Sequence, residues 1–187
     1  LFSVSKSLMA LVVTKLIHEK IIDPQKPIGE YIPELKDSGF GDARVIDVLD
    51  MTTGLKFNED YNDKHSEMSV HFISAGYNSP PEGYRGAETL RAFLPKIQKD
   101  GDHISAFHYV SVNSEVLSWL VEKATERVGQ KRTVNELFEE HIWSKIGAEH
   151  DAFIIKDRAN DATWSGGLNV TTRDLARVGQ MILNRGK

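Results

Sequence analysis

The chain opens with LFSVSKSLMALVVTKLI, residues 1–17, in which a short polar stretch leads into an apolar run. The apolar run predicts a buried helix, which we expect to extend from about Ser3 to Lys20. Ser3 then lies in the first turn and Lys6 one turn later on the same face. Free N–H groups and the helix dipole favour negative charge at that end. A desolvated lysine can accept the proton that leaves a serine, so the pair suits a nucleophile with its base.

The spacing of Ser3 and Lys6 also has a simpler explanation. About one serine followed three residues later by lysine is expected by chance in a chain this long. A helix-capping serine followed by a solvent-facing lysine gives the same pattern. The apolar run after Lys6 favours the catalytic explanation. Burying a lysine at the head of a helix costs free energy unless the amine has a partner or a function.

Composition is that of an ordinary globular protein. The 187 residues, 40% hydrophobic and 27% charged, are enough for one sizeable core. A net charge of −4 gives no reason to expect nucleic acid or an acidic membrane as a partner, and no run reaches membrane-spanning length. The absence of cysteine excludes disulfides and thiolate chemistry but assigns no compartment. The chain starts without methionine or a signal peptide and ends as a helix meets glycine, so we expect both ends to belong to something longer.

Hydrophobic periodicity predicts a mostly helical chain. Asp42 can cap a helix through Met51, and Gly54 can end it with a left-handed residue. Residues 56–86 lack periodicity and are predicted to form a long loop. Further helical segments are expected over 28–35, over 87–99, from about Asn113, from the capping box at 133–136 to Trp143, and from the cap at 171–174, with Leu175, Val178, Met181 and Ile182 facing inward.

A second polar cluster lies where the helix near Asn113 is predicted to start. Tyr109, Ser111 and Asn113 alternate with valines, which puts the three polar groups on one side of an extended segment. Near a serine–lysine pair, a phenol can relay a proton and a hydroxyl or amide can orient the lysine. A core tyrosine followed by an asparagine cap is the competing explanation.

Other chemistries lack a supporting pattern. None of the seven histidines forms H-E-x-x-H or another spacing that places two ligands on one helix face. The glycine pair at 166–167 lacks the rest of a phosphate-binding loop, and no serine lies in a G-x-S-x-G elbow.

Several stretches together resemble the serine hydrolases of the class C β-lactamase superfamily. Within it, the chain is most similar to the 6-aminohexanoate-dimer hydrolase branch and its carboxylesterase relatives. The matching stretches come in the family's order over most of the chain: SVSKS at 3–7, IDVLDMTTG at 46–54, NEDY at 58–61, FHYVSVNSEVL at 107–117, and GGL at 166–168 leading to DLAR at 174–177.

The resemblance implies an α/β (α+β) fold of the β-lactamase/transpeptidase type, a sheet flanked by helices plus a helical lobe. Residues 1–187 then form a single incomplete domain, mostly α-helical, with the flanking sheet strands largely missing. Residues 1–20 and 165–187 would be core helices next to the sheet, and residues 25–160 the helical lobe and active-site loops. The missing parts of the same domain are therefore an expected partner.

The resemblance also implies roles for particular residues. Ser3 is the nucleophile, Lys6 its base and Tyr109 the proton relay. Tyr61 is a substrate-side hydrogen bonder, while Ser111 and Asn113 are substrate-binding or orienting residues. The backbone N–H of Ser3 forms half of the oxyanion hole.

The activity implied is hydrolysis of a small-molecule ester, amide or β-lactam-like substrate through an acyl-enzyme, without a cofactor. A non-catalytic penicillin-binding-like sensory or binding module is the alternative. Ser111 stands where many β-lactamases have asparagine, which disfavours efficient β-lactam hydrolysis. Phe72 stands where an acidic residue can meet the substrate's amine in the 6-aminohexanoate-dimer hydrolases. The third motif and the second oxyanion donor lie beyond residue 187, so we expect this segment alone to be inactive.

Overall fold

The computed structural model describes residues 2–186, so Leu1 of the opening motif and the final Lys187 lie outside the described residues. Helices dominate this range, and its one named sheet is a two-stranded antiparallel pair. The register of that pair places Phe153 opposite Asn169 and Ile154 opposite Leu168. The elements are α1 (Val4–His18), α2 (Ile28–Tyr31), α3 (Val45–Leu49), α4 (Glu67–Ser74), α5 (Leu90–Phe93), α6 (Val112–Arg127), α7 (Val134–His141), β1 (Phe153–Ile154), β2 (Leu168–Asn169) and α8 (Thr172–Leu183).

Helix α1 lies in the core, as its apolar sequence predicts. It packs against α6 and α7, and its predicted range is correct to within two residues at each end. The helix buries polar as well as apolar side chains near its start, which is unusual for a core helix. Its buried residues are Ser5, Lys6, Leu8, Met9, Val12, Val13 and Leu16.

Helix α6 contacts α1, α2, α3 and α7, so it is central to the packing. The prediction that Asn113 caps this helix is wrong. The helix already includes Val112, and Asn113 is fully buried, with the Thr53 hydroxyl donating to its side-chain oxygen at 3.1 Å. A buried amide must be hydrogen-bonded, and this one finds its partner across the core. Five apolar side chains further along α6 are buried: Val116, Leu117, Leu120, Val121 and Ala124.

Helix α3 begins later than predicted, because Asp42 is not its cap. Asp42 instead binds Lys99 at 2.6 Å and His103 at 3.0 Å. The left-handed residue at the end of this segment is Met51, with φ of 55°, rather than Gly54. Gly54 is needed for a different reason, since a Cβ there would lie 2.2 Å from the carbonyl oxygen of Gly101.

Two predictions between α3 and α6 also need correction. The predicted loop over 56–86 contains α4, which Ser66 caps by accepting a hydrogen bond from the Ser69 N–H. The buried face of α4 carries Met68, His71 and Ser74, so polar side chains conceal its periodicity. The helix predicted over 87–99 is split into α5 and a 3₁₀ turn over Leu94–Lys96, because Pro95 cannot continue an α-helix.

The last two helices start as predicted. Thr133 and Glu136 form the expected capping box of α7, and Thr171 caps α8 by accepting from the Asp174 N–H. Val178 of α8 is buried, but Ile182 is 56% exposed, contrary to the prediction that it faces inward. Among the described residues, no helix is long and apolar enough to cross a membrane.

Candidate active site

Ser3 immediately precedes α1 and is the point at which two distant side chains meet. Its hydroxyl makes no capping hydrogen bond to the helix. Instead the Lys6 amine donates to Ser3 Oγ at 3.0 Å, and the Tyr109 hydroxyl donates to the same oxygen at 2.7 Å. The preceding Phe2 has φ of 49°, a left-handed conformation that is rare for bulky residues and typical of strained functional sites. The structure therefore brings Ser3, Lys6 and Tyr109 together.

Lys6 does not face solvent. It is 8% exposed, and besides Ser3 it donates a hydrogen bond to the carbonyl oxygen of Ser165 at 2.5 Å. Its amine also lies 5.1 Å from the centre of the Tyr109 ring, within cation–π range. A buried amine is tolerated when it is hydrogen-bonded in this way. These contacts hold the Lys6 amine next to the Ser3 hydroxyl.

The turn over residues 164–168 packs directly against the start of α1. Ser5, fully buried, donates to the carbonyl of Phe2 at 2.8 Å and accepts from the Leu168 N–H at 3.1 Å. A Cβ on Gly166 would lie 2.9 Å from the Tyr77 hydroxyl and 3.3 Å from the Phe2 Cα. A side chain at 166 would therefore crowd this close approach. The sequence gives no sign that the Ser165 carbonyl binds Lys6, because a backbone acceptor has no side-chain signature.

Tyr109 comes from a surface segment that is anchored to the end of α3. The N–H of His108 donates to the Met51 carbonyl, and the N–H of Ile104 donates to the Thr52 carbonyl, both at 2.7 Å. Tyr109 itself is 39% exposed. The backbone bonds thus fix its position while leaving one side of the ring open to solvent.

Ser111 and Tyr61 both bind Glu59. Ser111 donates from its backbone N–H and its hydroxyl, each at 2.6 Å, and the Tyr61 hydroxyl donates at 2.8 Å. Partial burial and the hydrogen bond to Glu59 raise the pKa of Tyr61, an otherwise exposed residue, to about 12. Tyr61 therefore stays protonated at neutral pH and remains a hydrogen-bond donor.

The expectation that Tyr109, Ser111 and Asn113 share one side of an extended segment is wrong. The segment turns into α6 at Val112, so the three side chains point to different partners. Tyr109 reaches Ser3, Ser111 reaches Glu59, and Asn113 binds Thr53 together with the sulfur of Met51. Among residues 2–186, neither Ser111 nor Asn113 hydrogen-bonds to Lys6. No group of three or more histidine, aspartate or glutamate side chains in the same range could hold a metal ion.

The chain belongs to the β-lactamase family, whose model matches residues 1–187. It is 42% identical over 186 residues to the 6-aminohexanoate-dimer hydrolase of Paenarthrobacter ureafaciens, covering all of this chain and 45% of that protein. A Bacillus anthracis structure, assigned provisionally to the same activity, matches with a TM-score of 0.90 at 27% identity, over 100% of this chain and 48% of that one. A family VIII carboxylesterase matches in fold, with a TM-score of 0.67 at 19% identity, over 98% of this chain and 55% of that one.

These matches confirm the predicted resemblance and the β-lactamase/transpeptidase-like fold class. The chain spans about half the length of the relatives it matches. The small share of strand in residues 2–186 agrees with the prediction that this segment is mostly helical.

Proposed function

We propose that the complete protein is a serine hydrolase that cleaves an ester or amide bond through an acyl-enzyme intermediate. The observation that carries the proposal is the convergence of the Lys6 amine and the Tyr109 hydroxyl on Ser3 Oγ, at 3.0 and 2.7 Å. Both distances are within the range at which a general base or acid exchanges a proton with its partner. The 42% identical relative, itself named a hydrolase, supports the same class of reaction.

In the proposed reaction, Lys6 in its neutral form accepts the proton of the Ser3 hydroxyl while Oγ attacks the substrate carbonyl carbon. The tetrahedral oxyanion is stabilised by the Ser3 N–H, which among residues 2–186 has no hydrogen-bond acceptor of its own. Tyr109 passes a proton to the leaving alcohol or amine as that bond breaks. Water then attacks the acyl-enzyme with the same groups acting in reverse, which releases the acid and restores the serine.

The remaining parts of the proposal concern the whole domain. Residues 1–187 form one incomplete domain, in which 1–20 and 165–187 lie next to the sheet and 25–160 form the helical lobe and active-site loops.

The substrate is a small-molecule ester, amide or β-lactam-like compound, and no cofactor is needed. Tyr61 and Ser111 lie on the substrate side, whereas the contacts of Asn113 suit it to holding the α3–α6 junction. We expect the segment alone to be inactive, because it spans about half the length of the relatives it matches.

The test is turnover of p-nitrophenyl acetate by the complete protein. We expect wild type to show a burst followed by steady turnover and Ser3→Ala to show neither. Ser7→Ala is the matched control, since Ser7 is an exposed serine on the same helix, and it should behave as wild type. Equal turnover by wild type and Ser3→Ala would end the proposal. An acyl group on Ser3 that is never released would instead identify the non-catalytic binding module.

A further inference from the structure

A buried carboxylate lies behind the candidate active site. Glu115 is on α6, close to its N-terminal end, and its side chain is fully shielded from solvent. Burying a carboxylate costs several kcal/mol unless hydrogen bonds and nearby charges compensate. The contacts of Glu115 should therefore show what it does.

Both carboxylate oxygens of Glu115 accept hydrogen bonds from consecutive backbone groups. The Trp164 N–H donates to Oε2 at 3.0 Å, and the Ser165 N–H donates to Oε1 at 3.1 Å. Such a two-pronged contact fixes the orientation of the turn as well as its distance. The groups that face the carboxylate from other elements are His71 of α4, with Nε2 3.4 Å from Oε1, and Tyr77 after α4, whose pKa is raised by its own burial and by the negative charge of Glu115.

The turn held by Glu115 is the one that binds Lys6. Ser165 donates its N–H to Glu115 and accepts a hydrogen bond from the Lys6 amine on its carbonyl oxygen at 2.5 Å. The same Lys6 amine lies 3.0 Å from Ser3 Oγ. A continuous chain of hydrogen bonds thus runs from α6 through one residue of the turn to the nucleophile.

We propose that Glu115 is a positioning residue, which fixes the Trp164–Ser165 turn so that the Ser165 carbonyl holds the Lys6 amine against Ser3. This inference rests on the proposed serine hydrolase function. Glu115 itself touches neither the substrate nor the reacting atoms.

Two substitutions test the charge of Glu115 and the length of its side chain separately. Glu115→Gln keeps the size but presents an NH₂ group to one of the two N–H donors, so one bond is replaced by a repulsion. Glu115→Asp keeps the charge and both acceptors but is one carbon shorter, so it cannot reach both N–H groups unless the turn moves. Glu122→Gln is the matched control. Glu122 lies two turns further along α6 and pairs with Arg91 at 2.8 Å.

The experiment measures the rate of Ser3 labelling by a fluorophosphonate probe, as a function of pH, in folded samples of the complete protein. Because a misplacement of about 1 Å can cost about 100-fold in rate, we expect both Glu115 variants to label about 10- to 100-fold more slowly than wild type. We expect the pH profile of Glu115→Gln to differ from that of wild type, because this substitution removes a charge beside the turn that binds Lys6. The profile of Glu115→Asp should stay in place, and Glu122→Gln should match wild type in rate and profile.

The outcomes distinguish this inference from the function on which it rests. If wild type is not labelled at Ser3, the proposed function fails. If wild type is labelled and the Glu115 variants label equally fast with the same pH profile, Glu115 has no positioning role. If Glu115→Gln does not fold, Glu115→Asp decides the question, and a wild-type labelling rate for that variant would overturn the inference.

Discussion

The two side chains that meet at Ser3 are supported in different ways. Lys6 is 8% exposed and is held by a turn whose N–H groups bind Glu115, which is 2% exposed. Tyr109 is 39% exposed and is held by backbone bonds at the protein surface. The segment after Tyr109 is tied to Glu59, which also binds Tyr61, a residue that is 57% exposed.

The difference separates two kinds of support around Ser3. A buried hydrogen-bond network allows one arrangement only, because every broken bond leaves an unpaired polar group. An exposed contact can be exchanged for water at little cost. We infer that the contacts of Lys6 are costly to break, whereas those on the exposed side of Tyr109 cost less to rearrange.

The largest effect is expected from removing the amine on the buried side. Lys6→Met should lower the rate of Ser3 labelling by about 1,000-fold, within the range attributed to a positioned general base. Lys15→Met on the same helix breaks only a partly exposed ion pair with Glu19 and should label as wild type. Stopped-flow labelling with a fluorophosphonate measures both. Equal rates for the two variants would show that Lys6 is not the base.

The tyrosine side should show a smaller effect. Tyr109→Phe keeps the ring beside Lys6 and removes only the hydroxyl that lies 2.7 Å from Ser3 Oγ. We expect kcat for p-nitrophenyl acetate to fall by about 100-fold, because one proton-transfer group is lost. Tyr84→Phe, which removes a hydroxyl bound to the Ala87 carbonyl at 3.0 Å, serves as the control. The role of Tyr109 is refuted if the two variants turn over substrate equally fast.

Two glycine substitutions test whether the turn over residues 164–168, which holds Lys6, is rigid. A Cβ on Gly167 would lie 2.5 Å from the Thr163 carbonyl oxygen, whereas one on Gly179 in α8 would meet nothing within 4 Å. Gly167→Ala should lower the free energy of unfolding by about 1–3 kcal/mol through overpacking. Gly179→Ala should raise it by up to about 1 kcal/mol, because alanine favours the helix. Urea denaturation of both variants measures the difference, and similar stabilities would contradict the rigid turn.

The smallest effect concerns the surface anchor of the tyrosine segment. Lys99 and His103 lower the pKa of Asp42 from 3.8 to about 2. A lowered folded-state pKa means that ionised Asp42 stabilises the fold above pH 4 and that this contribution is lost as the pH falls towards 2. Asp42→Asn should therefore be less stable by under about 1 kcal/mol at neutral pH, and the difference should disappear as the pH falls below about 2. Urea denaturation across this pH range tests it, and a constant difference would contradict the assignment.

The sequence predicts the helix that carries Lys6 better than the distant residues that contact the site. The apolar run after Lys6 indicates a buried helix, and burial of the lysine follows from it. Tyr109 stands out in the sequence as a polar residue among valines, but its pairing with Ser3 rests on the family resemblance, because no local pattern shows that two residues 106 positions apart are neighbours. Glu115 had a weak signal, a single carboxylate within an otherwise buried stretch of α6, but its partners are backbone N–H groups of a distant turn.

Two of the features that sequence reasoning missed share one cause. Helix α4 buries His71 and Ser74 on the face where periodicity looks for apolar residues. Asn113 has the character of a cap, yet the Thr53 hydroxyl supplies a better partner inside the core. In each case a tertiary hydrogen bond or burial of a polar group outweighs the local preference of the residue.

The central claim is that Ser3 is the residue that becomes acylated. Its most direct test is peptide mass spectrometry of the complete protein after brief exposure to a fluorophosphonate probe. We predict a single adduct, on the hydroxyl of Ser3, which forms far more slowly in Lys6→Met. An adduct on another residue, or an unmodified Ser3 in folded wild-type protein, would contradict the account.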